Sequence, residues 1–190
     1  MCQFKSGIIL KDRVFIPDYD SHTDMLEKLK IKDTEENAKR LFVRAELIPP
    51  NDDVFAPVSS WKYHIDQDIL PEWYVAEVDE RRMREAVTEW AKEHIHIGEK
   101  IEEITSGLHW IMDRTVGTIG GSAEIREIGG SAKVVSAFDS ATVITDSVSK
   151  WYNADAVCIK DEAVLIDRHN KKIYHAGAFE TVIAGGKKDE

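Results

Sequence analysis

Three stretches decide how this chain folds: Ile119-Gly120-Gly121-Ser122-Ala123-Glu124-Ile125, Ile128-Gly129-Gly130-Ser131-Ala132-Lys133-Val134 and Ala137-Phe138-Asp139-Ser140-Ala141-Thr142-Val143. Each begins nine positions after the one before it. The Ser-Ala or Asp-Ser-Ala centre recurs, and a β-branched residue closes every unit. Apolar and small residues alternate with polar ones, which is the period of a strand and not of a helix. Small central residues let neighbouring backbones approach closely. Self-similarity at a fixed short period marks a solenoid, whose rungs bury a thin core only by stacking. An antiparallel meander of similar strands also fits the pattern; the regular spacing favours the solenoid.

Moving outward, the period loosens after Thr145, through Asp155-Ala156-Val157-Cys158-Ile159 and Glu162-Ala163-Val164-Leu165-Ile166. Less regular end units are expected, because a terminal rung needs a cover. Arg168-His169-Asn170-Lys171 reads as a hairpin turn into Lys172-Ile173-Tyr174-His175, and residues 185–190 as a frayed tail. Towards the N-terminus, Met83, Ala86, Val87, Trp90, Ala91, His94 and Ile95 share one face of a helix running from about Glu77 to Ile97. Before it, Phe4–Leu10, Arg13–Ile16, Leu41–Ile48 and Trp61–Ile65 read as strands, with Pro17 and Pro49-Pro50 as stops. Ser21-His22-Thr23-Asp24 has the form of a helix start. The expected fold is an α+β N-terminal domain followed by a short β-solenoid-like, nine-residue-repeat C-terminal region. Its expected boundaries are 1–97 for the α+β domain, 98–118 for a helical or loop connector and 119–184 for the repeat.

The chain has 190 residues, 43% of them hydrophobic and 32% charged, the balance of a folded protein. No stretch has the length of apolar sequence that a membrane span needs, and the first residues lack the pattern of a signal peptide. Two cysteines, Cys2 and Cys158, do not make a disulfide framework. A soluble, cytoplasmic protein with no membrane partner is expected. The net charge is −10, and residues 1–118 hold 24 acids against 16 bases while residues 119–190 hold 11 against 9. A surface of that sign repels phosphate backbones, so direct nucleic-acid binding is disfavoured. It suits a basic protein partner, and it also serves plain solubility. Open solenoid edges further suggest a homo-oligomer.

Candidate chemistry is sparse. Removal of the initiator Met would leave Cys2 with a free α-amine beside its thiol, able to act as its own base. His22 is a partner for that thiol, with Asp20, Asp24 or Glu46 orienting the ring; the same residues also serve simply as a helix cap. His94 and His96, at i and i+2, do not share a helix face, and no third ligand is spaced near them, so no metal and no cofactor is expected. Gly120-Gly121 and Gly129-Gly130 lack the Gly-Lys-Ser/Thr ending of a phosphate loop and belong to the repeat. Trp61, Tyr63, Trp73 and Tyr74, with Asp66, Asp68 and Glu72, are either a recognition surface for a basic partner or core beneath the long helix.

Two resemblances add to these readings. Met1-Cys2, a hairpin and Asp18-Tyr19-Asp20 resemble the start of choloylglycine-type N-terminal-nucleophile hydrolases over residues 2–20. That family carries an Arg before the corresponding triplet, where this chain has Pro17. The resemblance implies a catalytic Cys2 and cleavage of amide bonds in small substrates. Met1-Cys2, Ser21-His22-Thr23-Asp24, Phe42-Val43-Arg44-Ala45-Glu46, Leu70-Pro71-Glu72-Trp73-Tyr74 and the Gly-Ser-Ala repeats are similar to a group of small uncharacterised phage and gut-bacterial proteins. That similarity implies a mobile-element origin and no particular activity. The expected function is a non-enzymatic interaction or assembly protein, in its sharper form an acidic inhibitor of a host nucleic-acid-binding or defence protein. The alternative is a small N-terminal-Cys amidohydrolase or thiol-dependent enzyme.

Overall fold

A computed structural model gives the architecture, and it describes residues 4–98, 100–113, 116–129, 133–145, 158–159, 161–167 and 172–175. The chain is mixed α+β, with three sheets and few helices. It divides into two compact units, residues 1–93 and 94–190.

The first unit is built on β1 (Lys5–Leu10), β2 (Val14–Phe15), β3 (Phe42–Ile48) and β4 (Lys62–Ile65), an antiparallel sheet in the order β2-β1-β3-β4. β1 and β3 are buried on both faces, so they read as near-continuous apolar runs rather than alternating ones. One face carries Ile8, Leu10 and Phe42, packed with Met25, Leu26 and Ala38 from α1 (His22–Lys28) and α2 (Glu35–Ala38). α1 starts where the pattern predicts. The Ser21 hydroxyl accepts the Asp24 amide at 3.3 Å, Asp24 sits in the first turn, and Lys28 complements the dipole in the last. Thr34 caps α2 in the same way.

α3 (Ala76–His94) lies against the opposite face, where the Met83 thioether sits close to Gly7. Met83, Val87 and Trp90 are its buried stripe, as the spacing predicts. Two buried charges were not visible in that spacing. Lys5, 1% exposed, places its ammonium 4.5 Å from the Trp90 ring centroid and 2.9 Å from Asp20. Asp79, 2% exposed, accepts the Val75 amide at 2.8 Å and the Arg82 guanidinium at 2.6 Å. Arg82 also donates to the Leu10 carbonyl at 2.9 Å, tying helix to sheet. A helix start shielded from water in this way leaves neither its orphan amide nor the carboxylate uncompensated.

Among the described residues the second unit holds ten strands. β5 (Ile95–Ile97), β7 (Leu108–Met112), β9 (Glu124–Gly129), β11 (Thr142–Thr145), β13 (Val164–Asp167) and β14 (Lys172–His175) make one sheet in that order. β6 (Glu103–Ile104), β8 (Val116–Ile119), β10 (Lys133–Ala137) and β12 (Cys158–Ile159) make another. Consecutive strands alternate between the sheets, and all pairs are parallel except β13 with β14, the expected C-terminal hairpin. Thr142 lies opposite Glu124, eighteen residues earlier, so a nine-residue unit crosses to the other sheet and two units return to the first. The pairing offset is 15 for Ile95 with Trp110 and 22 for Val164 with Thr142.

Residues 98–118 do not form the expected helical or loop connector: they carry β6, β7 and most of β8, paired in parallel with the repeat. The Gly-Ser-Ala signature is missing there, yet only the inward positions are constrained by burial, and Ile104 and Ile111 satisfy them. The long helix also stops earlier than expected, at His94, and Ile95 to Ile97 are strand.

In the units that start at Ile119 and Ala137 the first, fifth and seventh positions are buried. Ile119 meets Ala137 by register, Ala123 is followed by Ala141 and Ala163, and Ile125 by Val143 and Leu165. The third position turns a corner instead of facing inward. Gly121, Asp139 and Asp161 all have positive φ, at 55°, 53° and 55°. At Gly121 a side chain is excluded outright, because the Thr105 carbonyl occupies the space a Cβ would need. The Phe138 ring covers Gly120 one full turn on. Asp139 accepts the Gly121 amide at 3.0 Å, and Asp161 accepts the Asp139 amide at 3.3 Å, so carboxylates ladder along this corner. The tail from 176 onward lies outside the described residues.

Candidate functional site

Period-two alternation puts Glu46 on the α1 side of β3, with Ser6 directly opposite on β1 and His64 opposite on β4. Asp66, two residues beyond His64, follows on the same side; its amide donates to the Arg44 carbonyl at 3.0 Å. His22 is the first residue of α1, so the cap at Ser21 fixes the backbone from which its ring enters the sheet face. His22 is 6% exposed and Glu46 3%, whereas the Asp66 side chain is half exposed. His22 Nδ1 lies 3.1 Å from Asp66 Oδ2, and Nε2 lies 3.3 Å from the Ala45 carbonyl oxygen. One ligand-type atom from each of His22, Glu46 and Asp66 falls within 4.8 Å of the other two.

The expected Cys–His–carboxylate set is therefore rearranged. The carboxylate on His22 is Asp66, which the sequence grouped with the aromatics. Asp20 instead holds Lys5 and accepts the Ser6 amide at 3.1 Å, and Asp24 is exposed in the first turn of α1. Glu46 joins the His22 neighbourhood as expected. Cys2 lies outside the described residues.

The aromatic–acid group is distributed over several environments and does not form one surface. Trp61 is core, 1% exposed; its indole donates to the Ala56 carbonyl at 2.8 Å and packs edge-on against Phe4. Tyr63 and Tyr74 pair through their hydroxyls at 3.3 Å. Burial, first, and then the Tyr74 hydroxyl hold the Tyr63 phenol well above its ordinary pKa. Asp68 lines a cavity of about 370 Å³ with Asp66, Gln67, Arg44 and Asp33, where Arg44 and Asp33 pair. Trp73 lines a separate groove with Leu70, Glu72, Arg40, Lys39 and Glu36, and its indole donates to the Arg40 carbonyl at 2.7 Å.

The histidines set aside on helical geometry do meet, within the second unit. Because the helix ends at His94, the residues after it follow strand geometry, and His96 pairs with Ile111 across to β7. His96 Nε2 lies 3.1 Å from His109 Nδ1, and the two rings stack at 5.3 Å. His109 Nε2 faces the Ser106 carbonyl at 2.8 Å and His94 Nδ1 the Leu108 carbonyl at 2.7 Å. Only an N–H can face a carbonyl, so His109 presents an N–H at Nε2 to Ser106. All three are buried, and two take the place that Ile holds on the next strand: His96 pairs with Ile111 and His109 with Ile125. The sequence carried no spacing that joins 96 to 109; only strand pairing does.

No family model, no curated protein and no solved structure matches this chain. Among the described residues no helix is long and apolar enough to cross a membrane.

Proposed function

We propose that the protein is a non-enzymatic interaction and assembly protein whose C-terminal unit is a β-solenoid with two nine-residue units to a turn. The observation that carries this reading is the passage of consecutive strands between two parallel ladders, with Ala and β-branched residues in register along the interior. A stack of this kind buries its core only through its neighbours, and its end strands keep free backbone groups. β5 and β6 are such edges, and Ile97 on β5 is an apolar side chain half exposed to solvent. A second copy pairing along this edge gives a homo-oligomer, and the acid excess of residues 1–118 suits a basic protein partner, such as a host nucleic-acid-binding protein.

Light scattering on the full chain tests the assembly. An oligomer that falls to monomer in Ile97→Lys, with the circular dichroism unchanged, supports the reading. A strict monomer over a wide concentration range overturns it. The alternative, a thiol-dependent enzyme, needs a ring nitrogen of His22 for the Cys2 thiol, and Cys2 lies outside the described residues.

A further inference from the structure

Glu46 carries a problem that the assembly reading does not touch. Its carboxylate is 3% exposed, and no hydrogen bond or ion pair reaches it among the described residues. Directly across the ladder, the Ser6 hydroxyl is fully buried and also has no partner there. A carboxylate so little exposed gains from a partner that offsets its charge. A second carboxylate, Asp66, stands within 4.8 Å and deepens the negative charge instead of relieving it. Such a group holds the donor atoms that a bound cation would use.

We propose that His22, Glu46 and Asp66 bind one divalent transition-metal ion, of the Zn²⁺ or Mn²⁺ kind. The geometry suits it. Two neighbouring ligands on one such ion lie roughly 2.8–3.6 Å apart, octahedral sites at the short end and tetrahedral ones at the long end, given metal–ligand distances of about 2.0–2.2 Å. His22 Nδ1 and Asp66 Oδ2 are 3.1 Å apart. The outer ring nitrogen is already in the position a metal-bound histidine requires, with Nε2–H directed at the Ala45 carbonyl. A histidine that ligates through Nδ1 does so as the neutral imidazole with its one proton on Nε2. Two carboxylates and a neutral imidazole then balance a charge of +2. One nitrogen among the donors disfavours Ca²⁺ and Mg²⁺, which select all-oxygen shells.

Access and open coordination follow from the same geometry. Asp66 is half exposed and lines the cavity of about 370 Å³, so the ion has an entry path. Three protein ligands leave a position for water, as in open zinc sites, and a metal-bound water is a fitting partner for the Ser6 hydroxyl.

The test is Zn²⁺ and Mn²⁺ titration by calorimetry on the full chain, with Cys2 and Cys158 replaced by Ser so that thiols do not compete. One equivalent should bind, and Glu46→Gln and Asp66→Asn should each weaken it by about a hundredfold or more. Asp66 is exposed enough that Asp66→Asn folds normally. Glu46→Gln removes the buried charge, so this variant without metal should melt at or above the parent temperature yet gain nothing from Zn²⁺. Binding that survives both substitutions places the ion elsewhere and overturns the proposal. So does saturable binding of Ca²⁺ or Mg²⁺ in place of Zn²⁺ and Mn²⁺, or the absence of any stoichiometric binding. None of these outcomes depends on the oligomeric state, so this site and the assembly reading fail separately.

Discussion

Tyr63 and Asp79 show how single side chains of the first unit set its stability, Tyr63 through pH and Asp79 through its partners. Burial raises the Tyr63 pKa in the folded chain, while the unfolded chain ionises near the ordinary value of about 10. The folded state therefore binds more protons above that pH, and stability should fall as pH rises through and beyond it. Tyr63→Phe should flatten this alkaline decline, measured by urea unfolding at pH 8 through 11. An unchanged slope would place the titration on another group. At Asp79 the expectation is a loss at neutral pH. Asp79→Asn keeps a group for the Val75 amide but leaves Arg82 without its charge partner. Arg82 is only partly exposed, so a loss of about 2–3 kcal/mol is expected in denaturant unfolding, below the cost of stranding a fully buried charge.

At the scale of an element, the corner of the second unit is held by backbone conformation and by side-chain ladders together. Asp139 performs both tasks: it tolerates φ of 53° and accepts the Gly121 amide. Asp139→Gly loses the hydrogen bond alone, at about 1 kcal/mol. Asp139→Ala loses the bond and adds left-handed strain of about 1 kcal/mol, so it should be the worse of the two in thermal unfolding. Equal losses would mean that the backbone there is not left-handed. The start of α1 offers a matching case, since Ser21→Ala should cost about 1 kcal/mol by removing the cap. Because that cap also sets the His22 backbone, the same substitution should weaken Zn²⁺ binding in the calorimetric titration.

At the scale of the whole molecule, charge decides which partners approach. With a net charge of −10, the chain should leave duplex DNA unshifted in a native gel even at low salt, where phosphate attraction is strongest. A shift that disappears with added salt would reveal a basic patch that the overall balance conceals.

Much of the architecture was legible in residue order, because local rules act over a few positions. Ser21 and Asp24 wrote the start of α1, Met83, Val87 and Trp90 its companion α3 stripe, and the nine-residue recurrence wrote the β period of the second unit. Those signals depend on capping, on helical or strand period and on burial, all of which neighbours in sequence specify. The sequence could not give what depends on pairing. That strands two units apart pair in parallel follows from Thr142 lying opposite Glu124, and the strands of 98–118 pair with the repeat without sharing its Gly-Ser-Ala signature. The same holds for the sites. His22, Glu46 and Asp66 stand 24 and 20 residues apart along the chain, and His96 and His109 stand 13 apart. No local rule links such positions; a sheet register does, because hydrogen-bonded strands fix which side chains share a face and how closely they stand. Sequence alone set the kinds of donor atoms and the periods that bury them, and tertiary pairing alone decided which donors meet.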